Sequence, residues 1–262
     1  LAGVRPSFFE ILTAVALRYF ADVAVDVAVV EVGMLGRWDA TNVVHADVAV
    51  ITNIGEGDHL GMSYIETVEE LAQVKSVIVR NVSPTGVAVL NATDPIVAKM
   101  AKACKGDVVF FGVHANHPVI SAHRAQGKRA IFKDGDHLAA AVGSVVVHRI
   151  ALQEIPITQA GQIGFQVENV MSSVAAAWSL GVAWQAIDLA LKDFLCDGQN
   201  APGRFNLFKH RGATVIADYG HNPDAIRALV QVTNCMPAKR RHVVISGAGD
   251  RRDEDIRQQT KI

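Results

Sequence analysis

Residues 47–75, DVAVITNIGEGDHLGMSYIETVEELAQVK, decide the fold of this chain. The apolar run at 48–51 has the length of a buried strand and is too short for a buried helix. A loop with three glycines follows and carries Asp58 and His59, and apolar residues at helical spacing then predict a helix with Lys75 near its middle. Ligands of open α/β sheets collect where strands end and loops begin, so these polar side chains are candidates for chemistry.

The rest of the chain alternates predicted strands with predicted helices. The strands are predicted at 27–30, 87–90 and 108–111, and the helices around 8–19, 94–104, 169–180 and 184–194. This alternation is typical of a parallel sheet with crossover helices. Short apolar runs at 130–132 and 145–147, separated by turn residues, predict antiparallel strands at the edge of that sheet.

A turn-rich segment at 196–203, CDGQNAPG, predicts a domain boundary. We therefore divide the chain into residues 1–198 and residues 199–262. In the second part, strands predicted at 205–209, 214–217 and 243–246, with a helix ending at about 235, restart a β-α-β pattern.

Composition excludes several classes of protein. Half of the 262 residues are hydrophobic, and 25 basic residues nearly balance 26 acidic ones, so nothing favours binding to nucleic acid or to an anionic membrane. Three cysteines without a CxxC pair predict reduced thiols. No apolar stretch approaches the ~18 residues of a spanning helix, and no signal peptide is visible, so we expect a cytoplasmic protein. A homo-oligomer is compatible with the sequence.

Glu31, His59 and Lys75 are the first candidates for a site. Glu31 follows the predicted strand at 27–30 and His59 follows the next strand, so both side chains could reach one sheet edge and hold a divalent ion. Magnesium prefers oxygen ligands, whereas an imidazole ligand also suits manganese. Lys75 on an apolar helix is either a side chain that extends to solvent or a desolvated amine open to covalent modification. A loop histidine is also commonly a surface residue.

Arg204 and the segment 218–223, DYGHNP, are candidates in the second part. Asp218 or Asn222 could cap the helix that follows, and Arg204 could form an interdomain salt bridge or hold a phosphate in bidentate fashion. The GAG at 247–249 lacks the third glycine of a dinucleotide fingerprint. The chain also has no GxxxxGK[ST] phosphate loop and no nucleophile elbow.

Several separated stretches resemble the Mur ligase family. They are TNIG at 52–55, DHLG at 58–61, Lys75, VLNATDP at 89–95, EN at 168–169, PGRFNL at 202–207, DYGHNP at 218–223 and GDRRDEDI at 249–256. The last three are most similar to the Mur-ligase-like half of cyanophycin synthetases. SFFE at 7–10 and EVGMLGRWDATN at 31–42 are closer to folylpolyglutamate synthases, which have glycine where Leu35 stands.

The resemblance implies an α/β protein with a parallel-sheet central domain and a Rossmann-like C-terminal domain, each incomplete. It implies a ligase that joins an amino acid to a carboxylate-bearing acceptor, using ATP and Mg²⁺ (or Mn²⁺) through an acyl phosphate. By position, Glu31 and His59 resemble the metal ligands. Lys75 resembles a lysine that carbon dioxide carbamylates in many members, and this carbamate would add a metal ligand.

The resemblance also implies a nucleotide site. Asn169 resembles the asparagine that contacts adenine. The C-terminal positions that match residues closing over ATP are Arg204, Asp218, His221 and Asn222. Asp250 and Arg251 match the region that approaches the incoming amino acid.

We expect the chain to be a fragment, because the family's phosphate loop should precede Leu1 and because the end at Ile262 falls inside a helical pattern. As such it should have no ligase activity by itself. Two alternatives stay open: a folylpolyglutamate synthase that adds glutamate to folate, and a non-catalytic module that kept the fold without the phosphate loop.

Overall fold

The computed structural model of this chain describes residues 5–55, 59–246 and 252–262. Its large sheet has six strands in chain order. They are β1 (Val48–Ile51), β2 (Val87–Asn91), β3 (Asp107–Gly112), β4 (Arg129–Asp134), β5 (His137–Val142) and β6 (Val145–Ala151). Strands β1 to β4 pair in parallel, and β5 and β6 are added as antiparallel strands. The predicted parallel sheet with an antiparallel edge is confirmed.

Helices cover both faces of this sheet. In chain order these helices are α2 (Val68–Lys75), α3 (Val77–Arg80), α4 (Pro95–Lys99), α5 (Pro118–Ala125), α6 (Gly164–Ser179) and α7 (Trp184–Asp193), and they are preceded by α1 (Phe8–Asp22), which has no buried residue. One core joins Leu90 and Phe110 of the sheet to α2–α5, and the other joins Val89 and Phe111 to α6 and α7. Every residue of β2 is buried, as expected for a parallel strand covered on both sides.

The C-terminal part forms a second, smaller unit. Its described elements are the antiparallel hairpin of β7 (Asn206–His210) and β8 (Ala213–Ala217), and the helices α8 (Pro223–Cys235) and α9 (Asp253–Gln259). We call residues 5–193 the sheet unit and residues 206–262 the hairpin unit. A third apolar cluster joins them, because Ile163 before α6 packs with Phe205 and Val232. The division at 198/199 remains our proposal.

Two predicted strands are wrong. Residues 27–30 form no strand, and Val29 is 91% exposed. Residues 243–246 form none either, and Val244 is 99% exposed. Both runs have the composition of a strand, but within the described ranges neither pairs with another strand, and a strand needs such a partner. The β-α-β pattern expected for the second part is therefore not formed by the described residues.

Two further differences concern local structure. Lys75 is the last residue of α2 rather than near the middle of a helix, because the chain turns at Ser76, whose hydroxyl donates to the Gln73 carbonyl at 2.7 Å. Strand β5 was not predicted, since its HLAAAV sequence is rich in alanine, which is depleted in strands. Among the described residues, no helix has the length and apolarity needed to cross a membrane.

His123 makes folding stability depend on pH. It is buried in α5, and its Nε2–H donates to the Val108 carbonyl of β3 at 3.0 Å. Burial holds the pKa of His123 below its ordinary value, although the bond to Val108 opposes this in part. The unfolded chain therefore takes up a proton near pH ~6.5 that the folded chain resists. The nearby charges of Lys128 and Asp107 act in opposite directions on the same pKa.

We predict that the free energy of unfolding falls as the pH drops below about 6.5, and that His123→Gln flattens this slope. Glutamine keeps a donor but does not titrate. Urea unfolding at several pH values measures both slopes, and His114→Gln, at an exposed position, serves as the control. Equal slopes for the wild type and His123→Gln would contradict the prediction.

Candidate active site

One cavity of about 780 Å³ brings four of the predicted site residues together. Glu31, His59, Lys75 and Asn222 all border it. Strand β1, at the edge of the sheet, borders this cavity, and so does the segment of residues 26–32. Glu31, His59 and Lys75 belong to the sheet unit, and Asn222 belongs to the hairpin unit. Within the described ranges, the sheet unit forms nearly all of this cavity, and Asn222 is the one residue of the hairpin unit that borders it.

His59 is held by a tight turn after β1. Its backbone is left-handed, with a φ of 60°, and so is that of Gly61, with a φ of 83°. The Gly61 N–H donates to the Ile65 carbonyl at 2.8 Å, which closes the turn. The Arg252 side chain covers Gly61 so closely that a Cβ there would lie 3.1 Å from its Cδ. Glycine is therefore required for strain-free backbone and for this approach of the hairpin unit.

Lys75 is positioned by a short, well-capped helix. At the start of α2, the Thr67 hydroxyl accepts from the Glu70 N–H at 3.2 Å, and the Glu70 carboxylate accepts from the Thr67 N–H at 3.0 Å. This capping box fixes the helix start, and buried Leu71 and Val74 fix its rotation. Half-buried Lys75 thus borders the cavity from the last turn, where the helix dipole favours a cation.

Asp94 connects the loop after β1 to the next crossover. Its Oδ1 caps α4 by accepting from the N–H groups of Ile96 and Val97 at 2.8 and 3.1 Å. Its Oδ2 accepts from the Ile54 N–H at 2.8 Å. One carboxylate thus holds the carboxyl ends of β1 and β2 together, and Ile54 begins the loop that carries His59.

Glu168 adds a second carboxylate near the carboxyl end of β2, from a helix on the other face of the sheet. It lies half-buried in α6, and the Asn91 amide donates to its Oε2 at 3.4 Å. Burial raises the pKa of Glu168, the charge of Asp94 raises it further, and the Asn91 bond opposes both. Asn91 and Glu168 belong to the family motifs at 89–95 and 168–169, but neither was predicted to be a site residue. The feature of the sequence that could have identified both residues is a polar side chain at the end of an otherwise apolar strand or helix.

The remaining predicted nucleotide residues lie outside the lining of this cavity. Asn169 is exposed on α6 and donates to the Gln166 Oε1 at 3.1 Å. Arg204 is exposed in the linker, residues 194–205 between the two units, with its guanidinium 5.7 Å from the Tyr219 ring centroid. Asn222 thus borders the same cavity as the metal candidates, whereas Asn169 and Arg204 do not border it.

Asp218 anchors the backbone of the hairpin unit. Its carboxylate accepts from the N–H groups of Phe205 and Gly220 at 2.8 and 2.6 Å. Asn222 caps α8 by accepting from the Ala225 N–H at 2.8 Å, which was one of the two readings of the sequence. His221 lies between them and its carbonyl accepts from Gln259 of α9. Two other predicted positions, Asp250 and Arg251, lie outside the described residues.

The donor chemistry of the cavity suits a magnesium ion that also contacts phosphate. Within the described ranges, no three His, Cys, Asp or Glu side chains group closely enough to hold a metal alone. Glu31 and His59 nevertheless border the same cavity and offer one oxygen and one nitrogen donor. Magnesium is usually held by one or two protein ligands, with water and substrate phosphates completing its shell. Two donors therefore fit an ion that arrives with a nucleotide.

Two family models match this chain. The Mur ligase middle domain matches residues 9–177, and the Mur ligase glutamate ligase domain matches residues 203–261. The chain belongs to the Mur ligase family. The family expected from the motifs is thereby confirmed, and relatives of this chain are ATP-dependent ligases.

Both expected subfamilies occur among its relatives. A cyanophycin synthetase from Synechocystis is 37% identical over 245 residues, which cover 93% of this chain and 27% of that protein. A dihydrofolate synthase/folylpolyglutamate synthase from Mycobacterium tuberculosis is 34% identical over 238 residues, covering 87% of this chain and 45% of that protein.

A solved structure shares the fold. The bifunctional folylpolyglutamate synthase/dihydrofolate synthase from Yersinia pestis, complexed with AMPPNP and a manganese ion, has a TM-score of 0.60 at 23% identity. The match covers 87% of this chain and 48% of that one. This chain thus spans less than half the length of each of these three proteins.

We predict that Asp94→Ala lowers the free energy of unfolding by about 1–3 kcal/mol, because it removes a helix cap and the anchor of Ile54. Asp94→Asn keeps one oxygen for capping and should cost less than half as much. Urea unfolding of both variants measures the difference. A loss below about 0.5 kcal/mol for Asp94→Ala would show that the rim does not depend on this carboxylate.

Proposed function

We propose that this chain is the central and C-terminal part of an ATP-dependent amide ligase of cyanophycin-synthetase type. Such an enzyme joins an amino acid to a carboxylate of an acceptor peptide through an acyl phosphate. The observation that carries the proposal is the shared cavity, which Glu31, His59 and Lys75 border from the sheet unit and Asn222 from the hairpin unit. The similarity to cyanophycin synthetase over 93% of the chain supports it.

In this proposal the cavity receives the nucleotide phosphates and their metal ion. Phosphoryl transfer depends chiefly on positioning and on neutralising the charge that develops on phosphate oxygens. Glu31 and His59 would hold Mg²⁺, or Mn²⁺, whose positive charge would neutralise the charge that develops. The manganese and AMPPNP bound by the Yersinia pestis protein of the same fold are consistent with this.

Lys75 would act after reaction with carbon dioxide. Its neutral amine would add to the carbon of CO₂ and lose a proton, which converts a cationic side chain into an anionic carbamate. The carbamate oxygens would supply a further hard ligand to the cavity, of the type that magnesium prefers. The half-buried position of Lys75 beside Val74 and Ser76 would limit exchange with water.

The hairpin unit would complete the site from the other side. Asn169 would contact adenine, and Arg204, Asp218, His221 and Asn222 would belong to the unit that closes over ATP. Closure would bring the guanidinium of Arg204 to a phosphate and exclude water from a hydrolysable acyl phosphate. Asp250 and Arg251 would approach the incoming amino acid. Gly55 and Gly61 already meet the hairpin unit closely, since Cβ atoms there would lie 2.9 and 3.1 Å from Asp224 and Arg252 atoms.

A folylpolyglutamate synthase is the second candidate, because the Mycobacterium tuberculosis enzyme is 34% identical to this chain. A protein that combines this chain with an upstream phosphate loop separates the two. Incorporation of arginine or aspartate into a peptide primer supports the first proposal, and addition of glutamate to folate supports the second. The third possibility, a non-catalytic module, predicts neither reaction.

Nucleotide binding by the 262-residue chain tests the cavity. We predict metal-dependent binding of AMPPNP by calorimetry and no amide synthesis, because the sequence has no GxxxxGK[ST] loop. Glu31→Ala and His59→Ala should each weaken the Mg²⁺-dependent affinity about tenfold or more and leave binding in EDTA unchanged. His45→Ala, at an exposed histidine bordering the same cavity, is the matched control. Unaltered magnesium dependence in both variants would remove the metal role.

Lys75→Ala tests the carbamate in a protein that combines this chain with an upstream phosphate loop. We predict loss of turnover, because an alanine cannot supply the anionic oxygen. Short carboxylic acids such as acetate should restore part of the rate by occupying the vacated space, and they should not accelerate the wild type. Full activity of Lys75→Ala without added acid would exclude the carbamate role.

A further inference from the structure

Gln166 is a buried amide at the junction between the two units. It lies in the first turn of α6 and is 4% exposed. A buried amide is costly unless both its oxygen and its nitrogen find partners. Its Oε1 accepts from Asn169 at 3.1 Å, and its Nε2 donates to the Cys196 Sγ at 3.8 Å. Its partners therefore lie in the proposed adenine contact on one side and in the linker on the other.

The series of hydrogen bonds continues through the linker. The Cys196 thiol donates to the Arg204 carbonyl at 2.8 Å. The next residue, Phe205, packs edge-to-face on Phe165 of α6 with ring centroids 5.6 Å apart. Three consecutive hydrogen bonds thus connect two residues of α6 to two residues of the linker, in the order Asn169, Gln166, Cys196 and Arg204. The series begins at the proposed base contact and ends at the residue proposed to reach a phosphate.

Asn206 connects the two ends of the linker loop through its side-chain hydrogen bonds. It is 2% exposed, and its Nδ2 donates to the carbonyls of Cys196 and Ala201 at 3.2 and 3.0 Å. Its Oδ1 accepts from the Gly203 N–H at 2.7 Å. Both ends of the loop are held by one side chain, so a displacement at Cys196 is transmitted to Arg204.

A second cavity lies beside this series of hydrogen bonds. It has a volume of about 260 Å³, and Gln166, Cys196 and Phe205 border it. Interiors are otherwise packed so tightly that a small shift of one group displaces its neighbours. At this point Gln166 and Cys196 instead border open space, so a small shift of either group does not have to displace the core of the sheet unit.

We propose that Gln166 is a positioning residue that couples nucleotide binding at Asn169 to the conformation of the linker that carries Arg204. The proposal rests on the proposed function. When a base engages the Asn169 amide, the amide loses its freedom to rotate. Gln166 then holds one orientation, and through Cys196 the loop from Asp197 to Arg204 becomes more rigid. No contact between Gln166 and the nucleotide is required.

Hydrogen–deuterium exchange of the linker amides, followed by mass spectrometry with and without Mg²⁺–AMPPNP, tests this coupling. In the wild type, the nucleotide should slow exchange over residues 197–204 about fivefold or more, the lower end of typical couplings. Gln166→Met keeps the side-chain volume but not the hydrogen bonds, so the nucleotide should no longer slow exchange of the linker amides. The fold-change in the Kd for AMPPNP should be smaller than the fold-change in the exchange rate. Gln162→Met, at an exposed glutamine before α6, should keep the protection.

A second variant distinguishes coupling from a loss of folding. Cys196→Ala cuts the series at the next contact, so it should remove the same protection. The double variant Gln166→Met with Cys196→Ala should be no worse than either single one, because the contacts act in series. Protection retained in Gln166→Met or in Cys196→Ala overturns the proposal, and so does additive loss in the double variant.

The controls also separate this inference from the proposed function. Wild-type protein that binds AMPPNP without any change in linker exchange overturns the coupling and leaves the proposed function standing. Wild-type protein that does not bind AMPPNP overturns both.

Discussion

The structure depends on the packing of α6 across a parallel sheet. Val170, Met171 and Val174 of this helix lie against Val89 and Phe111, and removing that apolar surface from water is the main stabilising term for the face. The same helix begins beside the hairpin unit, where Ile163 packs with Phe205 and Val232. Helix α6 therefore packs in the core of the sheet unit, and the residue that precedes it contacts the hairpin unit. Because the core fixes the helix, Glu168 lies within hydrogen-bond reach of Asn91 at the carboxyl end of β2.

The second constraint is the common direction of the parallel strands. Because β1 and β2 run the same way, their carboxyl ends meet at one edge, and the polar residues after them become neighbours. Asp94 uses this proximity to join the two loops, and Asn91 uses it to reach Glu168. The cavity extends along the unpaired side of β1, the strand at the sheet edge. A cleft at that edge, reached by a second unit, can exclude water from reactive phosphates.

Sequence patterns predicted the buried elements better than the exposed ones. The runs at 48–51, 87–90 and 108–111 became strands, because a continuous apolar run is stable only when covered on both faces. The equally apolar runs at 27–30 and 243–246 did not, since a strand requires a neighbour and composition does not say whether one is present. Lys75 was expected within a helix, but the turn at Ser76 places it at the helix end.

The sequence by itself determined the family, the parallel sheet and the types of residue offered to a ligand, because these follow from local motifs and from the periodicity of apolar residues. Only the tertiary structure decided which of these residues share a cavity. It placed Glu31, His59, Lys75 and Asn222 around one cavity and left Asn169 outside the lining of that cavity, connected to the linker through Gln166. The physical reason is that contacts between residues far apart in the chain depend on how helices pack on the sheet, and a linear pattern carries no record of that packing.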